Sequence, residues 1–188
     1  LKNKTGKTDL RVAVGRDSRL SGPQLCTWIC EAMVEQGLHV TDFGMASTPA
    51  MFMSTVTKGY TFDGSVMITA SHLPFNRNGF KFFTAAGGLA QGDIKAILEY
   101  AESDATTSLP VGTLEDGSFM DTYAKLLADK IRAATGEEKP LEGFRIVVDA
   151  GNGAGGFYAD KVLKPLGANT EGSRYLEPDG SFPNHIPN

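Results

Sequence analysis

The run Ser65-Val66-Met67-Ile68-Thr69-Ala70 is apolar through its middle, without the period-two alternation of a half-exposed strand. It reads as a strand buried on both faces, which calls for cover on either side. The neighbouring segments supply that cover by alternating strand and helix. Arg11 to Gly15 is a short strand. Ser21-Gly22-Pro23-Gln24 opens a helix with a Ser-x-x-Gln capping box and Pro in the first turn. Leu25, Trp28, Ile29, Ala32 and Met33 give that helix an apolar stripe at helical spacing, and Gly37 ends it. Leu38 to Phe43 is a second strand. Thr48-Pro49 starts a helix running to about Lys58, Gly79 to Phe83 is a strand, and Asp93 to Ala101 a helix. The expectation is an α/β domain over residues 1–104 with a mainly parallel, mixed sheet.

Residues 105–118 are polar and small with no hydrophobic period, and read as a linker. A second α/β domain follows over 119–188. Its first helix spans Phe119 to Ala134, with Phe119, Tyr123, Leu126, Leu127, Ile131 and Ala134 facing inward. The strand Arg145 to Asp149, a Gly-rich turn, a helix Gly155 to Leu166 and a strand Ala168 to Tyr175 complete it. The ending Phe182-Pro183-Asn184-His185-Ile186-Pro187-Asn188 does not resemble a domain end, so the second domain is expected to be cut short. Leu1 in place of Met suggests a trimmed or processed form.

Composition narrows the function classes. Hydrophobic residues make up 41% and charged residues 21%, the balance of an ordinary globular protein. No apolar run approaches a membrane span, and no signal-peptide pattern opens the chain, so no membrane partner is expected. The net charge of −4 carries no basic excess and argues against nucleic acid, while leaving room for a local anion pocket. Cys26 and Cys30 lack a Cys/His cluster to complete a metal site and read as reduced thiols near the core. Cytosol is the default location, with an organelle as the alternative.

The densest chemical signal is Thr69-Ala70-Ser71-His72-Leu73-Pro74-Phe75-Asn76-Arg77-Asn78-Gly79-Phe80-Lys81. A buried strand ends in Ser71, and in open α/β sheets ligands bind outside the carboxyl ends of strands. A hydroxyl, an imidazole and a lysine converge on one rim. On composition alone a plain loop of Ser, Asn, Pro and Gly is the favoured reading. A serine hydrolase is disfavoured, because adjacent Ser71 and His72 side chains point apart and no Gly-x-Ser-x-Gly elbow is present.

The segment resembles the active-site loop of the phosphohexomutase superfamily, which comprises the phosphomannomutases, phosphoglucomutases and phosphoglucosamine mutases. That loop reads Thr-Ala/Gly-Ser-His-Asn-Pro and then Asn-Gly-Phe/Ile-Lys. Here Thr69 to His72, Pro74 and Asn78 to Lys81 match in register, and Leu73 departs from the usual Asn. Four further segments agree in order: Val12 to Pro23, Gly44 to Ala50, Ile146 to Gly153 and Asp179 to His185. The resemblance implies a phosphoglucomutase-like fold and the interconversion of hexose 1-phosphate and hexose 6-phosphate. Glucose and mannose are the favoured sugars. It implies that Ser71 carries the transferred phosphate, that this phosphate ligates Mg²⁺, and that hexose 1,6-bisphosphate is the intermediate and activator. Lys81 is implied as base or charge partner, and His72 as a proton-handling or supporting residue. Arg16 and Asn78 support the site. For Arg16, Asp17 and Arg19 together, an ion-paired loop fixing the strand end is favoured over phosphate contact. His185 is a turn residue or part of an interdomain face. In the family the metal carboxylates come from a loop expected after Asn188, so the chain alone is expected to be inactive.

One motif competes. Gly151-Asn152-Gly153-Ala154-Gly155-Gly156 satisfies Gly-x-Gly-x-x-Gly between a strand and a helix, with Glu171 about 20 residues past Gly151 as a ribose-binding acid. A dinucleotide-dependent oxidoreductase is the rival it suggests. A non-catalytic sugar-phosphate-binding paralogue is the third reading.

Overall fold

The computed structural model of the chain describes residues 1–103 and 110–186. A short helix α1 (Lys2–Thr5) precedes β1 (Arg11–Arg16), α2 (Gly22–Glu35), β2 (His39–Met45), α3 (Thr48–Ser54) and β3 (Gly64–Ile68). Then come β4 (Phe80–Thr84), β5 (Gly87–Gly88), α4 (Gln91–Ala101), β6 (Thr113–Asp116) and α5 (Met120–Thr135). The strands form one sheet in the order β5-β4-β3-β1-β2-β6. β1 pairs parallel with β2 and β3, and β2 pairs parallel with β6; β4 and β5 add an antiparallel edge. The expected mixed, mainly parallel sheet is what forms.

The unbroken apolar character of the central strands follows from cover on both faces. Val12, Val14, Val66 and Ile68 pack with Cys26 and Cys30 of α2. The intervening Ala13 and Met67 face the other way, against Met51 of α3 and Phe119 and Tyr123 at the start of α5. Full burial of side chains of this size contributes about 1.5–3 kcal/mol each. α5 therefore closes the first sheet, and its Ala124 and Ala128 also pack on Val162 and Leu166 of the second unit.

Five details differ from the sequence reading. The buried stripe of α2 runs through Cys26 and Cys30, and Trp28 is 59% exposed. Ser21 makes no capping bond to α2; its hydroxyl accepts from Asn78 Nδ2 at 3.0 Å. Thr113–Asp116, assigned to the linker, is the edge strand beyond β2, while 105–109 lie outside the described residues. In the second unit the expected strands are held by isolated parallel bridges, Arg145 to Asn169 and Asp149 to Arg174. Its expected α-helix is a π-helical turn, Tyr158–Leu163, followed by a 3₁₀ turn, Lys164–Leu166.

Candidate active site

β1 lies between β2 and β3, so the chain leaves β1 toward one side of the sheet and returns on the other. The crevice beyond the carboxyl ends of β1 and β3 is the topological switch point, where open α/β sheets bind ligands. Asp17 N donates to Ile68 O at 3.1 Å and ties the two strand ends together. Asp17 Oδ2 accepts from Thr69 Oγ1 at 2.7 Å, and Thr69 Oγ1 accepts from the amide of Ser71 at 2.9 Å. The ion pair expected in this turn is present: Arg19 Nε donates to Asp17 Oδ2 at 3.1 Å, both residues being buried.

Ser71 is exposed, and its backbone is left-handed, with φ 56°. For a residue carrying a β-carbon that conformation costs roughly 1–2 kcal/mol, so the surroundings must impose it. Ser71 lines a cavity of about 400 Å³ together with Asp17, Ser18 and Thr69. The second unit adds Asp149, Gly151, Gly153, Phe182 and His185 to the lining. Ser18 Oγ is buried without a hydrogen-bond partner among the described residues.

The other sequence candidates lie around this cavity and do not line it. His72 is exposed on the loop next to Ser71. Lys81 is exposed on β4, paired with Met67 of β3. Directly opposed residues share a sheet face, and Met67 does line the cavity. Arg16 ends β1 and anchors the sheet there, its carbonyl accepting from Ala46 N at 2.8 Å. Asn78 holds the far end of the loop through Ser21 and through Gly79 N, which donates to its Oδ1 at 2.9 Å.

Asp149 and His185 were legible as strand end and turn, but not as a pair. His185 Nε2 lies 3.0 Å from Asp149 Oδ1, and Nδ1 lies 2.9 Å from Ile186 O. Both partners can only accept, so both ring nitrogens are best satisfied as donors, which is the imidazolium. The Ile186 carbonyl and the Asp149 carboxylate accordingly raise the His185 pKa. His185, followed by the Gly151 amide, lowers that of Asp149.

The glycine motif has a different use from the one its pattern suggests. Gly151 has φ 53°, and a β-carbon there would stand 2.8 Å from His185 Cε1. At Gly156 a β-carbon would fall 1.9 Å from Leu176 O. These glycines admit an imidazole and a neighbouring backbone, and the segment after them is a π-helical turn from Tyr158 to Leu163. Among the described residues no three His, Cys, Asp or Glu side chains converge on one point, so these residues do not by themselves build a Mg²⁺ site.

Residues 1–108 match the family model for phosphoglucomutase/phosphomannomutase, alpha/beta/alpha domain I, and 118–188 match that for domain II. The chain belongs to the phosphoglucomutase/phosphomannomutase family. It is 39% identical over 177 residues to the phosphomannomutase/phosphoglucomutase of Pseudomonas aeruginosa, covering 94% of this chain and 36% of that protein. It is 35% identical over 178 residues to a phosphoglucomutase of Neisseria meningitidis, with the same coverage of 94% and 36%. A phosphoglucomutase/phosphomannomutase family protein of known structure from Burkholderia thailandensis superposes with a TM-score of 0.79 at 29% identity, over 94% of this chain and 38% of that one. The chain thus spans little more than a third of the length of these relatives. It carries two α/β units of the family type. Among the described residues no helix is long and apolar enough to cross a membrane.

Proposed function

We propose that this chain is the serine-bearing part of a phosphohexomutase that interconverts hexose 1-phosphates and hexose 6-phosphates of glucose, mannose or both. The observation that carries the reading is Ser71 itself. It is exposed at the switch point, in a left-handed backbone, on the wall of a cavity built by both units. In the proposed reaction the phosphorylated Ser71 gives its phosphoryl group to the free hydroxyl of a hexose monophosphate. The Oγ–P bond breaks as the sugar O–P bond forms. The proton leaving the sugar hydroxyl passes to a base, and Ser71 Oγ is reprotonated. The resulting hexose 1,6-bisphosphate then returns its other phosphoryl group to Ser71, reversing these steps.

Lys81 is the favoured base or charge partner, since it shares a sheet face with Met67 of the cavity wall. His72 is the alternative proton carrier, and Arg16 and Asn78 hold the strand end and the loop. Phosphoryl transfer rests mainly on positioning and charge neutralisation, which suits a site built from a fixed serine and a neighbouring cation. Mg²⁺, implied by the family, would find the Ser71 phosphate as its ligand here and would supply further charge neutralisation. The proposed division of the chain is 1–104, a connection over 105–118, and 119–188, with little or no turnover by the chain alone.

Phosphopeptide mass spectrometry on the full-length protein, before and after exposure to a hexose 1,6-bisphosphate, tests the reading. Phosphate on Ser71 that is discharged by hexose monophosphate supports it. A full-length protein that never carries phosphate on Ser71 overturns it.

A further inference from the structure

Every side chain of the segment 71–77 is exposed, yet the segment bends tightly around a strained serine. What holds it lies underneath. Arg19 has no exposed surface at all. Its Nη2 donates to Ser71 O at 2.9 Å and to Leu73 O at 2.8 Å. Its Nη1 donates to Pro74 O at 2.6 Å and to Arg77 O at 3.1 Å. With Nε on Asp17, all five N–H donors of the guanidinium are used. Four go to consecutive turns of one loop, a fork that the single ammonium of lysine cannot reproduce.

We propose that Arg19 is the positioning residue of the serine loop, and that the second unit completes its seat. Arg19 and Asp17 act on Ser71 from two sides. The guanidinium holds the Ser71 carbonyl, while Asp17 orients Thr69 Oγ1 to accept the Ser71 amide. Both peptide groups flanking the Ser71 α-carbon are therefore fixed, and these contacts account for the left-handed backbone that aims its side chain. The ring of Phe182 covers the outer face, with Arg19 Cζ 5.4 Å from its centroid, and the Arg19 backbone bridges to Gly180. A cation pressed against an aromatic face in a dry site is attracted to it. The loop Asp179 to Phe182 of the second unit thus caps the residue that shapes the serine loop of the first. The consequence for phosphoryl transfer rests on Ser71 being the phosphate carrier; the consequence for loop order does not.

The test uses the full-length protein with Arg19→Lys, Thr69→Val and Phe182→Leu. Thr69→Val keeps shape and removes only the hydroxyl link, so it answers the question even if Arg19→Lys folds poorly. Two readouts are taken on folded protein: tryptic cleavage after the exposed Arg77, and steady-state kinetics with glucose 1-phosphate. We expect faster cleavage at Arg77 in Arg19→Lys and slower turnover in both Arg19→Lys and Thr69→Val. In both, kcat should fall about 10- to 100-fold with KM nearly unchanged, as displacement of a reacting group by about 1 Å does. Phe182→Leu should show smaller changes in the same direction. Unaltered Arg77 cleavage together with unaltered kcat in Arg19→Lys and Thr69→Val would overturn the proposal. If the wild type turns over neither glucose 1-phosphate nor mannose 1-phosphate, the phosphoserine reading fails, while the cleavage pattern still decides the role of Arg19.

Discussion

The carbonyl oxygen of Ser18 stands 2.1 Å from where a β-carbon on Gly180 would be placed. Leu20 N is 2.6 Å from the same point, so backbone from both units meets there with room for hydrogen only. Gly180→Ala cannot be absorbed by a side-chain shift, because the obstacles are main chain. The second-unit loop must back away from the 17–20 turn, losing the bridge to Arg19 and the cover of Phe182. We expect destabilisation of about 1–3 kcal/mol, the usual range for overpacking, read from thermal or denaturant unfolding. A fall in turnover of the full-length enzyme larger than the lost folded fraction should accompany it.

The Asp149–His185 pair makes the second unit's share of the cavity lining sensitive to pH. His185 is raised above its ordinary 6.5, first by the Ile186 carbonyl and then by Asp149, so its contribution is complete below about pH 6.5 and fades as pH climbs through the raised value. Asp149 is lowered below its ordinary 3.8, first by His185 and then by the Gly151 amide. Its contribution is present above that value and is lost as pH falls through the depressed one. The contact is therefore strongest in the mildly acidic window between them. An NMR titration of the His185 ring should give a pKa above 6.5. Asp149→Asn should lower it only in part, since the Ile186 carbonyl remains. A ring that titrates at or below its ordinary value would contradict the geometry.

Much of this arrangement was legible in the sequence, and what escaped did so for identifiable reasons. The unbroken apolar run of β3 announces cover on both faces, and the serine at its end falls where the sheet topology puts ligands. The capping box at Ser21 does not form because the Ser21 backbone is itself helical, at φ −79° and ψ −11°, and its hydroxyl accepts instead from Asn78, far along the chain. Trp28 falls on the apolar stripe because adjacent helical stripes overlap at a period of 3.6, yet the small Cys26 and Cys30 fit the sheet better. Thr113–Asp116 is exposed at every position, so it carries no burial signature, and only main-chain pairing makes it a strand. The partners of Arg19 in the serine loop are all backbone carbonyls, which leave no side-chain pattern to read. His185 and Asp149 meet only through folding of the second unit.

Lys81 offers a separation of chemistry from stability. Its side chain is exposed on β4, and its neighbours Phe80 and Phe82 meet each other in a tilted arrangement, with centroids 6.4 Å apart, without it. Replacing the ammonium with an isosteric apolar end, Lys81→Met, should leave stability within about 0.5 kcal/mol. If Lys81 is the base or charge partner, kcat of the full-length enzyme should fall about 10²- to 10⁴-fold. His72→Gln should then cause a smaller loss. The reverse order would move the proton-handling role to His72.

Ser71 allows the reactive group and the strained backbone to be weighed separately. Ser71→Ala removes the hydroxyl and keeps the β-carbon that disfavours φ 56°. Ser71→Gly removes both, and glycine enters the left-handed region without steric penalty. Both variants should be inactive and accept no phosphate from a hexose 1,6-bisphosphate. The glycine variant should be the more stable of the two by about 1 kcal/mol, the usual magnitude of the left-handed penalty. Chemical denaturation of the two proteins side by side measures that difference. An alanine variant as stable as the glycine variant would mean that the loop relaxes its backbone once the serine is gone. The left-handed geometry would then depend on the serine hydroxyl as well as on the Arg19 and Thr69 contacts around it.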